Sequence, residues 1–256
     1  MVKSKEVVID GLRVRYLQCG VTNDSPVVFL PGWQATADIY KEVIDVFSNF
    51  IILDWPGFGI SQKPKTVWGI EEYSDFLKKF LDKLNIQKSI LIGHSVGGSI
   101  AVYFTSNHPA KVDKLVLVAS SAIRKKNRRY FLKTKVFFVV AKFGKMVVDL
   151  FPVKIKTKIK HVFYDVIKSD YGSVDGVMKK VYQKIIKKDL QKEMRKIECP
   201  TYLIWGDKDK SVPIEEAYKT KRLIRNAKLK IIKNAGHYPF LDNQKEWRKI
   251  ISSFDV

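Results

Sequence analysis

The sequence predicts an α/β protein with a mostly parallel sheet that a helical insert interrupts. Three observations support this. Short apolar runs, several ending at glycine or proline, recur through the first 120 residues and return after residue 197. Such runs are typical of strands buried on both faces of a parallel sheet. Amphipathic helical stretches alternate with them. From residue 123 to 196 the short runs stop and a lysine-rich helical periodicity replaces them.

Eight strands are predicted, and the first two form a hairpin. Glu6–Asp10 and Leu12–Gln18 meet at Asp10-Gly11, a tight-turn signal. The other predicted strands are Val27–Leu30, Phe50–Leu53, Ser89–Ile92, Lys114–Ala119, Thr201–Trp205 and Leu229–Ile232.

The predicted helices flank this sheet. Glu71–Leu84 repeats its apolar residues along one helical face. Further helices are expected directly after Ser95, over about Glu215–Arg225 and over about Gln244–Phe254. We therefore assign residues 1–122 and 197–256 to an α/β core and residues 123–196 to a helical, lysine-rich insert.

Composition excludes several classes of protein. A 256-residue chain that is 46% hydrophobic and 12% aromatic can bury a sizeable core, which excludes a disordered or fibrous protein. Two cysteines, Cys19 and Cys199, are too few for a disulfide framework or a four-cysteine zinc site. No apolar run has the length of a signal peptide or a membrane span. We expect a cytoplasmic protein without a metal ion or cofactor.

The positive charge is concentrated in the insert. Residues 124–196 hold 22 Lys/Arg and 6 Asp/Glu, a net charge of +16 out of the total of +21. Such a block can attract anionic lipid or nucleic acid. Lysine supplies 38 of the 47 basic residues, whereas arginine usually leads in specific phosphate recognition. We favour a lysine-biased solvated surface and keep weak contact with an anionic membrane as an alternative. Nucleic acid is not an expected partner, since no binding motif accompanies the charge.

A nucleophilic serine is predicted at Ser95. The segment Gly93-His94-Ser95-Val96-Gly97 fits G-x-S-x-G and stands between a predicted strand and a predicted helix. A serine on this turn has a crowded backbone, which the flanking glycines permit. The turn also directs the N–H of Val96 towards the site, at a helix N-terminus where negative charge is favoured.

Serine needs a base, and His237 is the strongest of four candidates. It lies in a loop directly after a buried strand, where sites form in parallel sheets. His94 should diverge from the serine on the tight turn, His108 precedes a proline at a helix end, and His161 lies in the insert. The carboxylate that orients the base follows another strand, where Asp207 and Asp209 are both candidates.

These motifs resemble those of the α/β-hydrolase superfamily, in particular its cap-bearing members. The resemblance covers nearly the whole chain except the insert and includes the order serine, aspartate, histidine. It implies a mostly parallel eight-stranded sheet and a cap at residues 123–196. The family motif W-G-x-x-D-x-x-x-P selects Asp209 over Asp207, with Pro213 in place. A second motif, D-x-P-G-x-G-x-S, is matched from Asp54 to Ser61 and implies a loop that shapes the pocket.

The resemblance also implies an oxyanion hole. The segment Leu30-Pro31-Gly32-Trp33-Gln34 matches the family's H-G-x loop, except that Pro31 replaces the histidine. The backbone N–H groups of Trp33 and Val96 are the expected donors, and the missing histidine leaves the bracing of the loop unexplained. The predicted substrate pocket includes Gln34, His94 and Tyr238, each adjacent in sequence to a residue of the site.

The expected function is hydrolysis of carboxylic esters through an acyl-enzyme on Ser95, His237 and Asp209, with a small-molecule ester as partner. Relatives that use an aspartate nucleophile are excluded, because this turn carries serine. Three alternatives remain: a carbon–carbon bond hydrolase or lyase on the same triad, a non-catalytic ligand receptor, and a basic module that binds membrane or nucleic acid. The sequence does not determine the oligomeric state.

Overall fold

An eight-stranded sheet forms the centre of the protein in the computed structural model, which describes residues 2–20, 25–41, 43–124 and 176–254. The strands, numbered β1 to β8 along the chain, are Lys3–Ile9, Leu12–Cys19, Val27–Leu30, Phe50–Leu53, Ser89–His94, Val112–Val118, Thr201–Gly206 and Ala227–Ile232.

The predicted fold class, an α/β protein with a mostly parallel sheet, is confirmed. The strand order is β1-β2-β4-β3-β5-β6-β7-β8. Only β2 pairs antiparallel, with β1 on one side and β4 on the other, and every other pair is parallel. The predicted hairpin closes at Asp10 and Gly11, which both have positive φ, 49° and 74°.

Helices cover the sheet. Among the described residues they are α1 to α8, namely Ala37–Tyr40, Ile70–Lys83, Val96–Asn107, Val177–Ile185, Gln191–Met194, Ile214–Leu223, Pro239–Asp242 and Gln244–Ser252, with a 3-10 turn at Pro109–Lys111. The four-residue helices α1 and α7 are absent from the sequence prediction, because one turn is too short to show a 3.6-residue period. Helices α4 and α5 lie within residues 123–196, which the sequence predicts to be helical. The last helix ends at Ser252, two residues before the predicted end.

The core lies between the sheet and these helices. All residues of β3 and β4 are buried, as expected for central strands covered on both faces. Helix α2 buries the apolar face that its sequence predicts, which includes Tyr73, Phe76 and Phe80. Trp247 anchors α8 by donating its indole N–H to the carbonyl of Val43 at 2.9 Å.

Residues Met1–Arg124 and Lys180–Val256 form one compact unit, which contains the whole sheet. Most of the predicted insert, residues 125–175, lies outside the described residues, so the cap at 123–196 stays a prediction. In the described part of the chain, no helix combines the length and the apolar character that a membrane crossing requires.

The sheet topology determines where a site can form. Because β3, β5, β7 and β8 are parallel, their carboxyl ends meet at one edge of the sheet. The loops that follow these four strands carry Trp33, Ser95, Asp209 and His237.

Candidate active site

Ser95 occupies a strained turn between β5 and α3. Its backbone has φ 51° and ψ −116°, a conformation that non-glycine residues rarely adopt. The Ser95 N–H donates to the carbonyl of Val118 at 3.0 Å, and the Ser95 carbonyl accepts from Ser121 N–H at 3.2 Å. Two backbone hydrogen bonds to the neighbouring strand end thus hold the strained residue at the edge of the sheet.

Gly97 lets this turn pack against the end of β3. A Cβ atom at this position would lie 2.0 Å from the carbonyl oxygen of Leu30 and 2.5 Å from that of Pro31. Since both neighbours are backbone atoms, no side chain fits here. The second glycine of G-x-S-x-G is therefore required by the close approach of α3 to the loop after β3.

His237 bridges the serine and a carboxylate. Its Nδ1 lies 2.9 Å from Oδ2 of Asp209, and its Nε2 lies 3.0 Å from Oγ of Ser95. A carboxylate only accepts, so Nδ1 carries the proton and Nε2 presents its lone pair to the serine hydroxyl. The three side chains predicted from sequence are thus joined in one chain of hydrogen bonds.

Burial and hydrogen bonding distinguish the two aspartates after β7. Asp209 is buried, and its Oδ1 accepts from the N–H groups of Ser211 at 2.8 Å and Val212 at 2.9 Å. Its other oxygen is left for His237. Asp207 is exposed to solvent. The structure therefore places Asp209, and not Asp207, against the imidazole.

The loop after β3 lies directly against the nucleophile. A Cβ atom on Gly32 would be 3.3 Å from Cβ of Ser95, so Gly32, the residue before Trp33, lies against the serine. Val96 is the first residue of α3, and N–H groups in the first turn of a helix have no intrahelical acceptor. Trp33 follows Gly32 and Val96 follows Ser95 in the chain, and their role as oxyanion donors stays a prediction.

Hydrogen bonds from neighbouring elements brace this loop where the family histidine is missing. Oδ1 of Asp54 accepts the N–H of Ala37 at 2.5 Å, and the indole N–H of Trp55 donates to the carbonyl of Pro31 at 3.1 Å. Burial raises the pKa of Asp54, against the opposing effects of the Ala37 N–H and the charge of Arg15, whose Nη1 lies 3.1 Å from Oδ2. The D-x-P-G motif thus supports the loop structurally.

The predicted pocket residues have different surroundings. Gln34 is exposed and has a positive φ of 57°, and Tyr238 is half-buried. The Trp33 ring is buried, with its centroid 4.8 Å from those of Phe58 and Tyr182. Through these contacts Trp33 packs the loop after β3 against Phe58 and Tyr182.

His94 does not line a pocket, and this expectation is corrected. Its side chain is 0% exposed, because the turn at Ser95 directs the two neighbouring side chains apart and His94 points into the core. There it bonds to Tyr40 and to the backbone of His237. Sequence analysis missed Tyr40, since its partners come from distant parts of the chain and no local motif marks it.

The described residues contain no group of three or more His, Cys, Asp or Glu side chains suited to a metal ion. Cys19 and Cys199 are both free thiols, and burial raises the pKa of Cys199.

Comparison with known proteins agrees with this architecture. A family model described as "alpha/beta hydrolase fold" matches residues 25–138 and 136–244. The chain is 27% identical over 248 residues to the AB hydrolase superfamily protein YisY of Bacillus subtilis, covering 90% of this chain and 91% of that protein. It is 24% identical over 273 residues to the 2-hydroxy-6-oxononadienedioate/2-hydroxy-6-oxononatrienedioate hydrolase of Escherichia coli, covering 95% and 91%. An esterase from Exiguobacterium antarcticum has a similar structure, with a TM-score of 0.75, 20% identity and coverage of 99% and 100%.

Proposed function

The chain belongs to the family of the alpha/beta-hydrolase fold, and from this premise we propose that it is a serine hydrolase that cleaves carboxylic esters. The observation that carries the proposal is the hydrogen-bond chain from Ser95 through His237 to Asp209. It pairs a nucleophile with a base whose tautomer is fixed by a buried carboxylate.

In the first half-reaction, Ser95 forms an acyl-enzyme. Nε2 of His237 takes the hydroxyl proton while Oγ attacks the ester carbonyl carbon, and the carbonyl oxygen becomes an oxyanion. The N–H groups of Trp33 and Val96 stabilise this charge, and one such donor is typically worth about 3 kcal/mol in the transition state. Collapse of the intermediate breaks the bond to the alcohol oxygen, which receives the proton from His237.

In the second half-reaction, water releases the acid. His237 takes a proton from water, the resulting hydroxide attacks the acyl carbon, and a second oxyanion forms at the same two donors. Collapse returns the proton to Oγ of Ser95 and frees the carboxylic acid. Asp209 stays ionised and stabilises the imidazolium in both halves.

A carbon–carbon bond hydrolase on the same three residues is the second candidate. It is favoured by the 24% identity to the Escherichia coli hydrolase of an unsaturated keto diacid, which extends over 95% of this chain. The chain and that relative would then share substrate chemistry as well as fold.

Parallel assays distinguish the two candidates. The protein is given p-nitrophenyl esters of increasing acyl length and, separately, a 2-hydroxy-6-oxo diacid whose dienol absorbance is followed. We expect turnover of esters that Ser95→Ala abolishes and that Ser99→Ala retains, because the Ser99 hydroxyl bonds to Ser121 and not to the base. Turnover of the diacid alone would establish the second candidate. Turnover of neither would contradict both.

A further inference from the structure

Two buried side chains that the reaction does not use lie between the loops of the site. The hydroxyl of Tyr40 is 3.1 Å from the backbone nitrogen of Gly32 and 3.0 Å from Nδ1 of His94. Nε2 of His94 is 2.8 Å from the carbonyl oxygen of His237. Tyr40 and His94 are both 0% exposed, so these hydrogen bonds are shielded from water.

The chemistry of these groups determines which is the donor and which is the acceptor at each contact. A carbonyl oxygen only accepts, so Nε2 of His94 must carry a hydrogen. Burial lowers the pKa of His94 to about 3, with a smaller contribution from the charge of His237, so the ring is neutral and its Nδ1 carries no hydrogen. Nδ1 therefore accepts the hydroxyl hydrogen of Tyr40, and the Tyr40 oxygen accepts from the Gly32 N–H.

The chain joins three loops that the proposed reaction requires. Gly32 precedes the proposed oxyanion donor Trp33, His94 precedes the nucleophile, and His237 is the base. Gly32, His94 and His237 are therefore each within one residue of a group that the proposed reaction uses. A displacement of about 1 Å in such groups can cost about 100-fold in rate.

The packing around His94 supports this role. A Cβ atom on residue 32 would come within 2.9 Å of Nδ1 of His94, so glycine is needed for the loop to reach Tyr40. The ring centroid of His94 is 4.9 Å from that of His237 and 5.2 Å from that of Phe240. A neutral His94 neither competes with His237 for the serine proton nor repels the imidazolium that forms during the reaction.

We propose that Tyr40 and His94 are positioning residues, which fix the oxyanion loop and the base loop relative to Ser95 through one directed hydrogen-bond chain. The inference rests on the proposed hydrolase function and assigns the alignment of the site to side chains that never touch substrate.

The kinetic test compares Tyr40→Phe with Tyr73→Phe. Tyr73 is a matched control, because it is equally buried and its hydroxyl donates to the carbonyl of Pro56 at 3.0 Å, outside the chain. With the best p-nitrophenyl ester, Tyr40→Phe should lower kcat roughly 10- to 100-fold with little change in KM, because it misplaces groups used in the transition state. Tyr73→Phe should leave kcat within about twofold of wild type.

A second pair of variants tests His94. In His94→Gln the amide retains a donor for the His237 carbonyl and an acceptor for Tyr40, whereas His94→Leu has neither. We expect His94→Gln to retain more kcat than His94→Leu, with circular dichroism confirming that both are folded. Equal kcat in these two folded variants, or in Tyr40→Phe and Tyr73→Phe, would overturn the proposal.

A spectroscopic measurement tests the proposal without an assay of enzyme activity. Nitrogen-15 NMR of wild-type His94 should report a hydrogen on Nε2 and none on Nδ1 from about pH 5 to pH 8. The opposite tautomer, or a doubly protonated ring in this range, would contradict the directed chain even if esters are hydrolysed. Wild-type protein that has the expected tautomer but cleaves no substrate would instead refute the proposed function and, with it, the positioning role.

Discussion

Asp207 and Asp209 lie two residues apart after β7, yet only one of them can orient a base. Asp209 is buried, with one oxygen held by two backbone N–H groups and the other 2.9 Å from His237. Asp207 points to solvent. Spacing alone does not choose between the two aspartates. The family motif W-G-x-x-D-x-x-x-P does, because matching its proline to Pro213 aligns its aspartate with Asp209.

The aspartates give a first prediction. Asp209→Asn should lower kcat for an ester by about 10⁴-fold, because an amide in this place favours the wrong tautomer of His237. Asp207→Asn, the matched control, should remain close to wild type. Steady-state kinetics on both variants decides the question, and a crippled Asp207→Asn beside an active Asp209→Asn would show that the assignment is reversed.

Acid sensitivity gives a second prediction, at His94. Its folded-state pKa of about 3 lies below the ordinary value of 6.5. Between these values the unfolded chain binds a proton that the folded chain does not, so the free energy of unfolding falls as pH falls. His94 therefore contributes fully to the free energy of unfolding above about pH 6.5. Between about pH 6.5 and pH 3 this contribution falls by about 1.4 kcal/mol for each pH unit.

Urea unfolding at several pH values between 4 and 7.5 measures this effect. His94→Gln has no group that titrates here, so its free energy of unfolding should depend less on pH than that of the wild type. Identical slopes for the two proteins would mean that His94 is not held neutral in the folded state.

Residues differ in how far sequence predicts them. Ser95 and His237 are found from a local motif and from loops that follow strands. Tyr40 is not, because its hydrogen bonds reach Gly32 and His94, which are 8 and 54 residues away. The burial of His94 is missed for a related reason, since proximity to the nucleophile in sequence does not determine on which side of the turn a side chain lies.

At the scale of elements, helix α3 determines the shape of the turn at Ser95, because Gly97 in its first turn packs against the backbone of Leu30 and Pro31. The sequence predicts the long elements to within about three residues at each end, as for α2 at Ile70–Lys83. It misses α1 and α7, the two short helices that follow Gly32 and His237 in the chain. Their formation depends on tertiary contacts, such as the Asp54 carboxylate that accepts the first N–H of α1.

Gly97 provides the element-scale prediction. Gly97→Ala should destabilise the fold by more than about 1 kcal/mol, the typical cost of a point mutation, because its Cβ would lie 2.0 Å from the Leu30 carbonyl oxygen. Gly236→Ala is a control in another loop of the site, where the nearest atom to a Cβ is 3.4 Å away. Thermal unfolding measures both, and equal losses of stability would contradict the packing argument.

For the whole molecule, the unusual property is a net charge of +21. A local triad has no need of remote cations, so any use of the charge would be in access or location rather than in the chemistry. Surface attraction weakens as the Debye length shrinks from about 30 Å at 0.01 M salt to about 8 Å at 0.15 M. We therefore predict that kcat/KM for an anionic ester falls over this range, while that for a matched neutral ester hardly changes.

Sedimentation with anionic vesicles, performed at the same salt concentrations, separates the two uses of the charge. Binding that disappears at 0.15 M salt would assign the charge to a membrane surface. Equal responses of the two esters, without vesicle binding, would contradict the steering prediction and leave a lysine-biased solvated surface.

The central claim, that Ser95 is an activated nucleophile, is tested most directly by covalent labelling. Folded wild-type protein is treated with a fluorophosphonate, and the labelled peptide is mapped by mass spectrometry. The account predicts one phosphonylated residue, Ser95, with labelling lost in His237→Ala and retained in Ser99→Ala. Labelling at another serine, or no labelling of folded protein, would contradict it.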